Sequence, residues 1–373
     1  MTICHILTYS YENGGTSKFV YDLASYQVEQ GDTVKILSTE LPGQSRYPVP
    51  NGVQLIPFES ETLTKVIPLY SSELLEYVKN HDSAIDSYHL HCLWNYGEML
   101  VDKLDLHHKT IVTIHGSLHP YTFNGLVYYK RLVYSKWFQK SFLKKIKVIH
   151  VNHQGEVKDV TDYLGHTPDQ IVIMPNGTDI HEVERTPLEE RRKNELLYIG
   201  RLHHKKGFDI LMPAFKKIVE KRPDAKLLIA GPDDGMLDYI QDFTEKNNLG
   251  DHVRILGTVT GENKAELFRH SGIFVLPSHS EGFSLAVLET LMYGLPAVVS
   301  DQTGLSPLLE NYEAAVVPKL TPEDFAEGVL NVLNDPELYK NLSENGLRLL
   351  EEKLEKTKVC SEFNRLIYNQ FRK

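Results

Sequence analysis

Long hydrophobic runs, paired cysteines and low-complexity segments are all missing from this sequence. No stretch approaches the eighteen or so apolar residues that a membrane-spanning helix needs, and the opening MTICHILTYS lacks the charged region and cleavage site of a secretory signal. Cys4, Cys92 and Cys360 lie far apart without C-x-x-C spacing, which argues against a disulfide framework or a zinc site. We therefore expect a globular cytoplasmic protein.

Acidic residues are absent from one long stretch of an otherwise acidic chain. The formal net charge of the 373 residues is −10, yet residues 106–155 contain no Asp or Glu and eight Lys or Arg. The overall charge argues against general nucleic-acid binding, whereas the basic stretch predicts one face suited to an anionic surface or acceptor. The length is sufficient for two domains, each with its own core.

The sequence also lacks the full G-x-G-x-x-G fingerprint, which argues against an NAD-linked dehydrogenase. Gly14 and Gly15 nevertheless follow the candidate strand CHILTYS and precede a segment with Phe19, Val20 and Leu23 at helical spacing. Glycines at such a turn let the backbone approach a phosphate and direct helix N–H groups at it. A tight turn without a ligand explains them equally well.

Apolar strand patterns alternate with helical patterns along the whole chain. The candidate strands are CHILTYS, TVKILS, GVQLIPF, IDSYHLH, TIVTIH, KVIHVN and IVIMP in the first half, and LLYIG, AKLLIAG, VRILG, IFVLP, AVVS and AAVV in the second. The charged, non-periodic residues 181–194 lie between the halves and are typical of a linker. The pattern predicts an α/β fold with parallel sheets.

Residues 279–294, HSEGFSLAVLETLMYG, place two glutamates around a predicted helix. Ser284 is a candidate N-cap and Gly294 a stop signal. Glu289 falls on the same helical arc as the apolar residues and therefore needs a partner, either a core hydrogen bond or ligand hydroxyls. Glu281 precedes the helix start, where backbone N–H groups favour anions. The spacing alone is also compatible with Glu281 as a surface loop acid and Glu289 as a buried acid with a hydrogen-bond partner in the core.

A second motif, GRLHHKKG at residues 200–207, follows the candidate strand LLYIG. Apolar residues at helical spacing after Gly207 predict a helix, so Arg201 and Lys206 lie on a loop at a strand's carboxyl end. A guanidinium and an ammonium group suit a diphosphate, although loop cations are usually only solvated. His115 and Gly116 likewise follow the strand TIVTIH, whereas His89 and His91 alternate on a strand and receive no specific role.

Residues 128–147 form an unusual basic and aromatic helix candidate. Aromatic residues repeat every four positions at Tyr134, Phe138 and Phe142, and lysines repeat on the other side at Lys136, Lys140 and Lys144. Such a helix could lie on an anionic bilayer. Packing of the aromatic face on its own sheet is an equally good explanation, and the two are compatible.

The E-x7-E pattern within SEGFSLAVLE followed by GLPAV, together with G-R-L-x-x-x-K-G, closely resembles the signatures of retaining GT-B glycosyltransferases of family 4, the group 1 type. The resemblance is strong over residues 200–309 and mostly positional before them, where PNGTD at 175–179 matches a turn of the family. It implies two Rossmann-like, doubly wound domains facing a cleft. Residues 1–180 would bind the acceptor, residues 195–355 the donor, and residues 356–373 would form a helix packed back on the first domain.

The resemblance also implies roles for individual residues. Arg201 and Lys206 would stabilise the departing diphosphate, Glu289 would hold the ribose, and Glu281 would position the donor sugar without a covalent role. The remaining implied donor-site residues are Gly14 and Gly15 near the diphosphate, His115 near the sugar, Val259 near the base, and Gly282, Phe283, Ser284 and Leu285 through their backbone N–H groups.

The implied reaction moves a hexose with retention from a nucleoside diphosphate sugar, such as UDP-glucose, to a hydroxyl of a polysaccharide or lipid-linked precursor. The family pattern implies no cofactor and no essential metal, so the adjacent Asp233 and Asp234 are interpreted as turn residues. A site at the inner membrane face would suit the basic helix. An epimerase or phosphorylase of the same fold, or a non-catalytic nucleotide-sugar-binding protein, stays open as an alternative.

Overall fold

The structure is a computed structural model, and it describes residues 1–7, 15–40, 48–61, 69–120, 131–179 and 183–372. The chain forms two compact units. Unit 1 comprises Met1–Gly177 and Lys356–Lys373, and unit 2 comprises Thr178–Glu355. Among the described residues, no helix combines the length and the apolar character needed to cross a bilayer.

Unit 1 contains a parallel sheet of seven strands in the order β3-β2-β1-β4-β5-β6-β7. The strands are β1 (Thr2–Leu7), β2 (Thr33–Glu40), β3 (Gln54–Glu59), β4 (Ser87–His91), β5 (Thr110–Thr113), β6 (Val148–Val151) and β7 (Ile171–Ile173). The helices between them include α1 (Gly15–Glu29), α2 (Ser72–His81), α3 (Tyr96–Lys103), α4 (Lys140–Lys145) and α5 (Gln154–Leu164). Residues 131–134 are helical and continue through a π-helical turn, Ser135–Gln139, into α4.

Both faces of this sheet are covered. Strand β1 directs Ile3 and Leu7 into one hydrophobic core and Cys4 and Ile6 into the other. Side chains alternate across a strand, so a strand covered on both sides needs apolar residues at nearly every position. His5 breaks this rule, because it lies on the Ile3 side and is fully buried.

Unit 2 contains a parallel sheet of five strands in the order β10-β9-β8-β11-β12. The strands are β8 (Arg192–Ile199), β9 (Lys226–Ala230), β10 (Val253–Gly257), β11 (Ser271–Leu276) and β12 (Ala297–Val299). The helices include α6 (Phe208–Lys221), α7 (Leu237–Lys246), α8 (Gly261–His270), α9 (Leu285–Met292), α10 (Ser306–Asn311), α11 (Pro322–Asn334) and α12 (Pro336–Leu349). A π-helical turn, Leu350–Leu354, follows α12.

The remaining helix, α13 (Lys356–Leu366), belongs to unit 1 and packs against α1. Val359, Phe363 and Ile367 are buried, and the ring centroid of Phe363 lies 5.7 Å from that of Phe19. Phe371, the last residue of the predicted apolar series, is only half-buried in the short 3₁₀ turn that follows.

The predicted fold class is confirmed, since both units combine a parallel sheet with alternating helices in the doubly wound manner. One predicted strand is wrong. Residues 314–317, AAVV, contribute only an isolated bridge between Val316 and Val298. Pro318 follows directly and has no N–H to continue a ladder, which explains why no longer strand forms.

The strand order of each sheet reverses direction at one point, between β1 and β4 in unit 1 and between β8 and β11 in unit 2. Open α/β sheets bind ligands beyond the carboxyl ends of the strands at such points. The loops after β8 and β11 carry the two sequence motifs, and the helix that follows β1 along the chain begins at Gly15. The topology therefore brings the candidate site residues to the expected edge of each sheet.

Candidate functional site

In unit 2, the loops that follow β8 and β11 are tied to each other. The backbone N–H of His279 donates to the carbonyl oxygen of Lys205 at 2.9 Å. Gly207 ends the short 3₁₀ turn His204–Lys206 with a φ of +75°, and a Cβ at this position would lie 1.8 Å from the carbonyl oxygen of Pro277. Only glycine allows this close approach, which holds the Arg201 to Lys206 loop beside the loop of Glu281.

Lys206 and Glu281 form an ion pair between these loops. Their side chains are 17% and 18% exposed, so the pair is screened from most of the solvent. The backbone of Glu281 is fixed from the other side, because its N–H donates to Gln302 at 3.2 Å and its carbonyl accepts from Gly304 at 2.8 Å. The two motifs thus meet through one ammonium and one carboxylate.

Lys205 is a neighbouring cation that the sequence analysis did not single out. It is half-buried, and burial lowers its pKa, an effect that the carboxylate of Glu281 opposes. The positive charges of Lys206 and Arg201 lower it further. Three cations and one carboxylate therefore act on one another at the carboxyl edge of β8 and β11.

Arg201 is the most exposed of these cations. Its Nη1 atom donates to Oδ2 of Asp234 at 2.7 Å, and its carbonyl oxygen accepts from the Tyr198 hydroxyl at 2.9 Å. Asp234 was interpreted only as a turn residue, so the sequence analysis missed its ion pair. Asp233 fits the turn interpretation, since its carboxylate accepts the backbone N–H groups of Gly235, Met236 and Leu237 at the start of α7.

Helix α9 begins as the sequence predicts, with Ser284 at the N-cap and Gly294 beyond its end at a φ of +61°. The Ser284 side chain makes no capping hydrogen bond. The first N–H groups of a helix have no partner within the helix, and they form an anion-binding position together with the positive end of the dipole. Gly282 and Phe283 are half-buried just before this position.

Glu289 has a partner, and this partner is an ammonium group rather than a hydrogen-bonding group of the core. Its Oε1 atom accepts from Nζ of Lys264 on α8 at 2.7 Å. The two side chains are about equally exposed, at 31% for Glu289 and 30% for Lys264, so Glu289 is half-buried rather than a core residue. Val259 is half-buried in the loop between β10 and α8 and packs against the core of unit 2.

The predicted site residues of unit 1 lie at the edge of its own sheet. Gly14 lies outside the described residues, and Gly15 is the first residue of α1. His115 follows β5 with a φ of +48°, a backbone conformation that residues other than glycine rarely adopt. Such strain is concentrated at functional sites, and here a buried acid maintains it.

That acid is Glu156 on α5, which the sequence analysis did not select. Its Oε1 atom accepts the N–H of Gly116 at 2.5 Å, and its Oε2 atom accepts the N–H of Asn152 at 2.6 Å. Burial raises the pKa of Glu156 to about 7. The carboxyl group thus joins the loops after β5 and β6 and holds the backbone beside His115.

Four further histidines of unit 1, His5, His89, His91 and His150, are fully buried on one face of the sheet. Ring nitrogens of His5, His89 and His91 lie within 4.8 Å of one another, a spacing that a metal ion could use. Each ring is already hydrogen-bonded through both nitrogens. A metal ion would have to displace these bonds, so the arrangement favours a hydrogen-bonded network.

Two known protein families match this chain. Residues 179–348 match the family described as glycosyl transferases group 1, and residues 13–182 match glycosyltransferase family 4. The two matches together cover nearly all of unit 2 and the greater part of unit 1. The chain belongs to the group 1, family 4-like glycosyltransferases.

Curated relatives share part of their length with this chain. An uncharacterised glycosyltransferase of Methanocaldococcus jannaschii is 28% identical over 251 residues, which are 67% of this chain and 65% of the relative. The chain thus spans less than two thirds of that relative, and two others of the same organism are matched over 56% and 48% of their length.

Solved structures show the same GT-B fold over nearly the whole chain. Sucrose-phosphate synthase from Thermosynechococcus elongatus has a TM-score of 0.79 at 18% identity, with 99% of both chains covered. HepE of Anabaena, solved in complex with UDP and glucose, has a TM-score of 0.75 at 14% identity, with 99% of this chain and 100% of HepE covered. At these identities the similarity establishes the fold alone.

Proposed function

We propose that the protein transfers a sugar, with retention of anomeric configuration, from a UDP-linked donor bound by unit 2 to a hydroxyl of an acceptor bound by unit 1. The ion pair of Lys206 and Glu281 beside the start of α9 is the observation that carries this proposal. The positive charges of Arg201, Lys205 and Lys206 would together offset the negative charge of the diphosphate leaving group.

The diphosphate would bind where cations and helix N–H groups converge. Lys206 is held by Glu281, and Arg201 by the more exposed Asp234. Each side chain is therefore already restricted and loses little conformational freedom when it binds a phosphate oxygen. In the transition state the breaking bond places extra negative charge on the diphosphate. Preorganised cations stabilise the transition state, which carries that charge, more strongly than the ground state. In this scheme the reaction therefore needs no metal ion.

Glu281 would then exchange its ammonium partner for hydroxyls of the donor sugar, and Glu289 would bind the ribose. Glu289 is half-exposed and paired to Lys264 rather than buried in the core, which leaves its carboxylate accessible to a ligand. The choice of UDP rests on the fold shared with HepE, which was solved with UDP and glucose.

Calorimetry with UDP, GDP, ADP and NAD tests the donor class. We expect UDP to bind, and Arg201→Ala and Lys206→Ala to weaken UDP binding by about 10- to 100-fold each, as loss of a charge-assisted hydrogen bond of about 1.5–3 kcal/mol predicts. Lys217→Ala on α6 is the matched control, because Lys217 pairs with Glu323 on the surface at 3.1 Å. Binding of another nucleotide instead would overturn only the base assignment; no nucleotide binding would overturn the function.

An epimerase or phosphorylase of the same fold would also bind a nucleotide or a phosphorylated sugar. The distinguishing assay supplies UDP-sugar with a hydroxyl acceptor, and NMR then identifies the product and its anomeric configuration. A glycosidic product with the donor's configuration supports retaining transfer. Isomerised free UDP-sugar would identify an epimerase, and binding with no product at all would favour the non-catalytic alternative.

We further propose that the helical residues 131–145 contact an anionic membrane that carries the acceptor. The aromatic face packs inward, with Phe142 buried and the ring centroids of Phe138 and Phe142 5.8 Å apart. The other face carries three exposed apolar side chains, Leu132 at 49%, Val133 at 60% and Trp137 at 81%. Tryptophan is favoured at a membrane interface, so these side chains add apolar contacts to the attraction that the lysines provide.

The lysines of this helix are not equivalent. Lys136 and Lys144 are exposed, whereas Lys140 is half-buried with its ammonium 5.1 Å from the ring centroid of Tyr163. Exposed lysines beside an exposed tryptophan match an anionic, partly apolar surface in both charge and polarity. Lys136 and Lys144 are therefore the positions to change.

Vesicle flotation tests this surface. The double variant Lys136→Glu/Lys144→Glu should bind anionic phospholipid vesicles at least about 30-fold more weakly, since each lost basic residue contributes about 1 kcal/mol near the surface and each new carboxylate repels it. Lys216→Glu/Lys221→Glu, which reverses two exposed charges on α6 of unit 2, should bind like the unchanged protein. Equal binding by both double variants would exclude this helix as the contact.

A further inference from the structure

The buried histidines of unit 1 form a hydrogen-bonded chain whose direction the structure determines. It begins at the carbonyl oxygen of Met174, which can only accept and which lies 2.9 Å from Nε2 of His150. His150 therefore donates from Nε2. Burial lowers the pKa of His150 to about 4, so the ring is neutral and Nδ1 carries a lone pair.

The same reasoning assigns the next two groups. Nδ1 of His150 accepts the hydroxyl hydrogen of Thr113 at 2.9 Å. Because Thr113 has only one hydrogen to donate, its oxygen accepts from Nε2–H of His89 at 2.6 Å. Burial and the neighbouring histidines keep the pKa of His89 well below its usual range, so Nδ1 of His89 is an acceptor.

Tyr368 and Gln27 carry the chain to the other histidines. The hydroxyl of Tyr368 donates to Nδ1 of His89 at 2.6 Å, and its oxygen accepts from the side chain of Gln27. Nε2 of Gln27 also donates to Oδ1 of Asn364 at 3.5 Å. The amide nitrogen of Gln27 thus faces Tyr368 and Asn364, and its oxygen faces His5.

From Gln27 the chain runs through three rings to the sheet edge. Oε1 of Gln27 accepts Nε2–H of His5 at 2.9 Å, and Nδ1 of His5 accepts Nε2–H of His91 at 3.0 Å. Nδ1 of His91 then accepts Nε2–H of His115 at 3.3 Å. Burial lowers the pKa of His5 to about 4 and of His115 to about 3, so each of these rings carries one proton.

We propose that this chain locks His115 in the Nε2–H tautomer and presents its Nδ1 lone pair at the carboxyl edge of the sheet as an acceptor for a substrate hydroxyl. Gln27, His5 and His91 are the positioning residues. Among the hydrogen bonds of the described residues, the one that the His115 ring makes runs through Nε2 and not through Nδ1. The substrate contact rests on the proposed function, whereas the tautomer does not.

The arrangement explains why polar rings occupy a face that otherwise requires apolar residues. His5 and His89 are register partners on β1 and β4, and Thr113 is the register partner of both His91 and His150 on adjacent strands. An isolated neutral histidine could adopt either tautomer and direct either a donor or an acceptor at the substrate. A sugar hydroxyl that donates to the unprotonated Nδ1 would lose this bond if the ring proton were on Nδ1 instead of Nε2.

Nitrogen NMR of the full chain with ¹⁵N-labelled histidine tests the tautomer directly, without any nucleotide. His115→Gln identifies the signals of His115. We expect a protonated Nε2 and an unprotonated Nδ1 in the unchanged protein. A proton on Nδ1 of His115 would overturn the proposal, and this result needs no variant of the buried chain to fold.

Gln27→Leu removes the acceptor that fixes His5 and should leave His115 as a mixture of tautomers. Gln139→Leu is the matched control, because Gln139 is an equally buried glutamine of unit 1 whose amide donates to Glu98 at 2.8 Å, outside the chain. Under the proposed function, kcat/KM should fall about tenfold in Gln27→Leu, the effect of one lost hydrogen bond. An unchanged His115 spectrum in Gln27→Leu would show that the chain does not set the tautomer.

Because the spectrum needs no substrate, it separates the two proposals. Absence of nucleotide binding together with the expected spectrum would overturn the glycosyltransferase function and leave the tautomer lock supported. Nucleotide binding and transfer together with a proton on Nδ1 would support the glycosyltransferase function and overturn the tautomer lock.

Discussion

Lys206→Ala is expected to lower kcat for sugar transfer by about 100- to 1000-fold, the usual effect of removing one preorganised group from a developing negative charge. The ammonium lies at the carboxyl edge of β8, where Glu281 holds it in a position that the solvent hardly reaches. Loss of the cation also leaves that carboxylate partly buried without this partner. Single-turnover measurement with saturating donor isolates the chemical step from the weaker binding.

Lys217→Ala serves again as the control, because its partner Glu323 is 67% exposed and exposed ion pairs contribute little. We expect its kcat to be unchanged. Glu281→Gln provides a second comparison, since the amide keeps the size of the side chain but not its charge. A kcat within threefold of the unchanged protein for Lys206→Ala would mean that Lys206 only pairs with Glu281 and takes no part in the reaction.

Gly207→Ala is expected to destabilise unit 2 by about 3 kcal/mol or more. The added Cβ would lie 1.8 Å from the carbonyl oxygen of Pro277, and that atom is backbone rather than the end of a flexible side chain. Both a positive φ and a severe overlap must then be relieved by moving the loop. Peptides from β8 and β11 should exchange hydrogen faster because unit 2 is less stable. The functional consequence should be weaker UDP binding.

Gly235→Ala separates the two causes of this effect. Gly235 has a φ of +93°, yet a Cβ there would have no neighbour within 4 Å. It should therefore show only the backbone cost of about 1–2 kcal/mol. If Gly207→Ala cost no more than Gly235→Ala, the β8 loop would be free to move away from Pro277, and its tie to the β11 loop would be weak.

The sequence predicted both sheets well because parallel strands that are covered on two sides are short, continuous apolar runs. The helix after Gly207 was predicted for a related reason, since Phe208, Leu211, Phe215 and Ile218 share one arc and all four are buried. The prediction failed at residues 314–317, where an apolar run of the right composition forms only one bridge. Composition reports burial, whereas a strand also requires a neighbour with free hydrogen-bonding groups.

The candidate site was predicted by position but not by partner. Motif resemblance selected Lys206, Glu281 and Glu289, yet it did not indicate that Lys206 pairs with Glu281 across 75 residues, or that Glu289 pairs with Lys264. Asp234 was interpreted only as a turn residue, and Glu156 was not selected. An acid in a turn or on a helix has no local pattern that distinguishes a solvated carboxylate from one that holds a distant loop.

The sequence by itself determined which segments are strands and helices, where the loops of both motifs begin, and the resemblance to a glycosyltransferase family, because these depend on residues close together in the chain. Only the tertiary structure decided that His5, His89, Thr113 and His150 meet on one face. That meeting depends on the strand order β1-β4-β5-β6, which brings together residues up to 145 positions apart, and no local periodicity encodes strand order. The direction of the histidine chain depends in turn on Gln27 of α1 and on Tyr368, which follows α13, and α13 packs against α1.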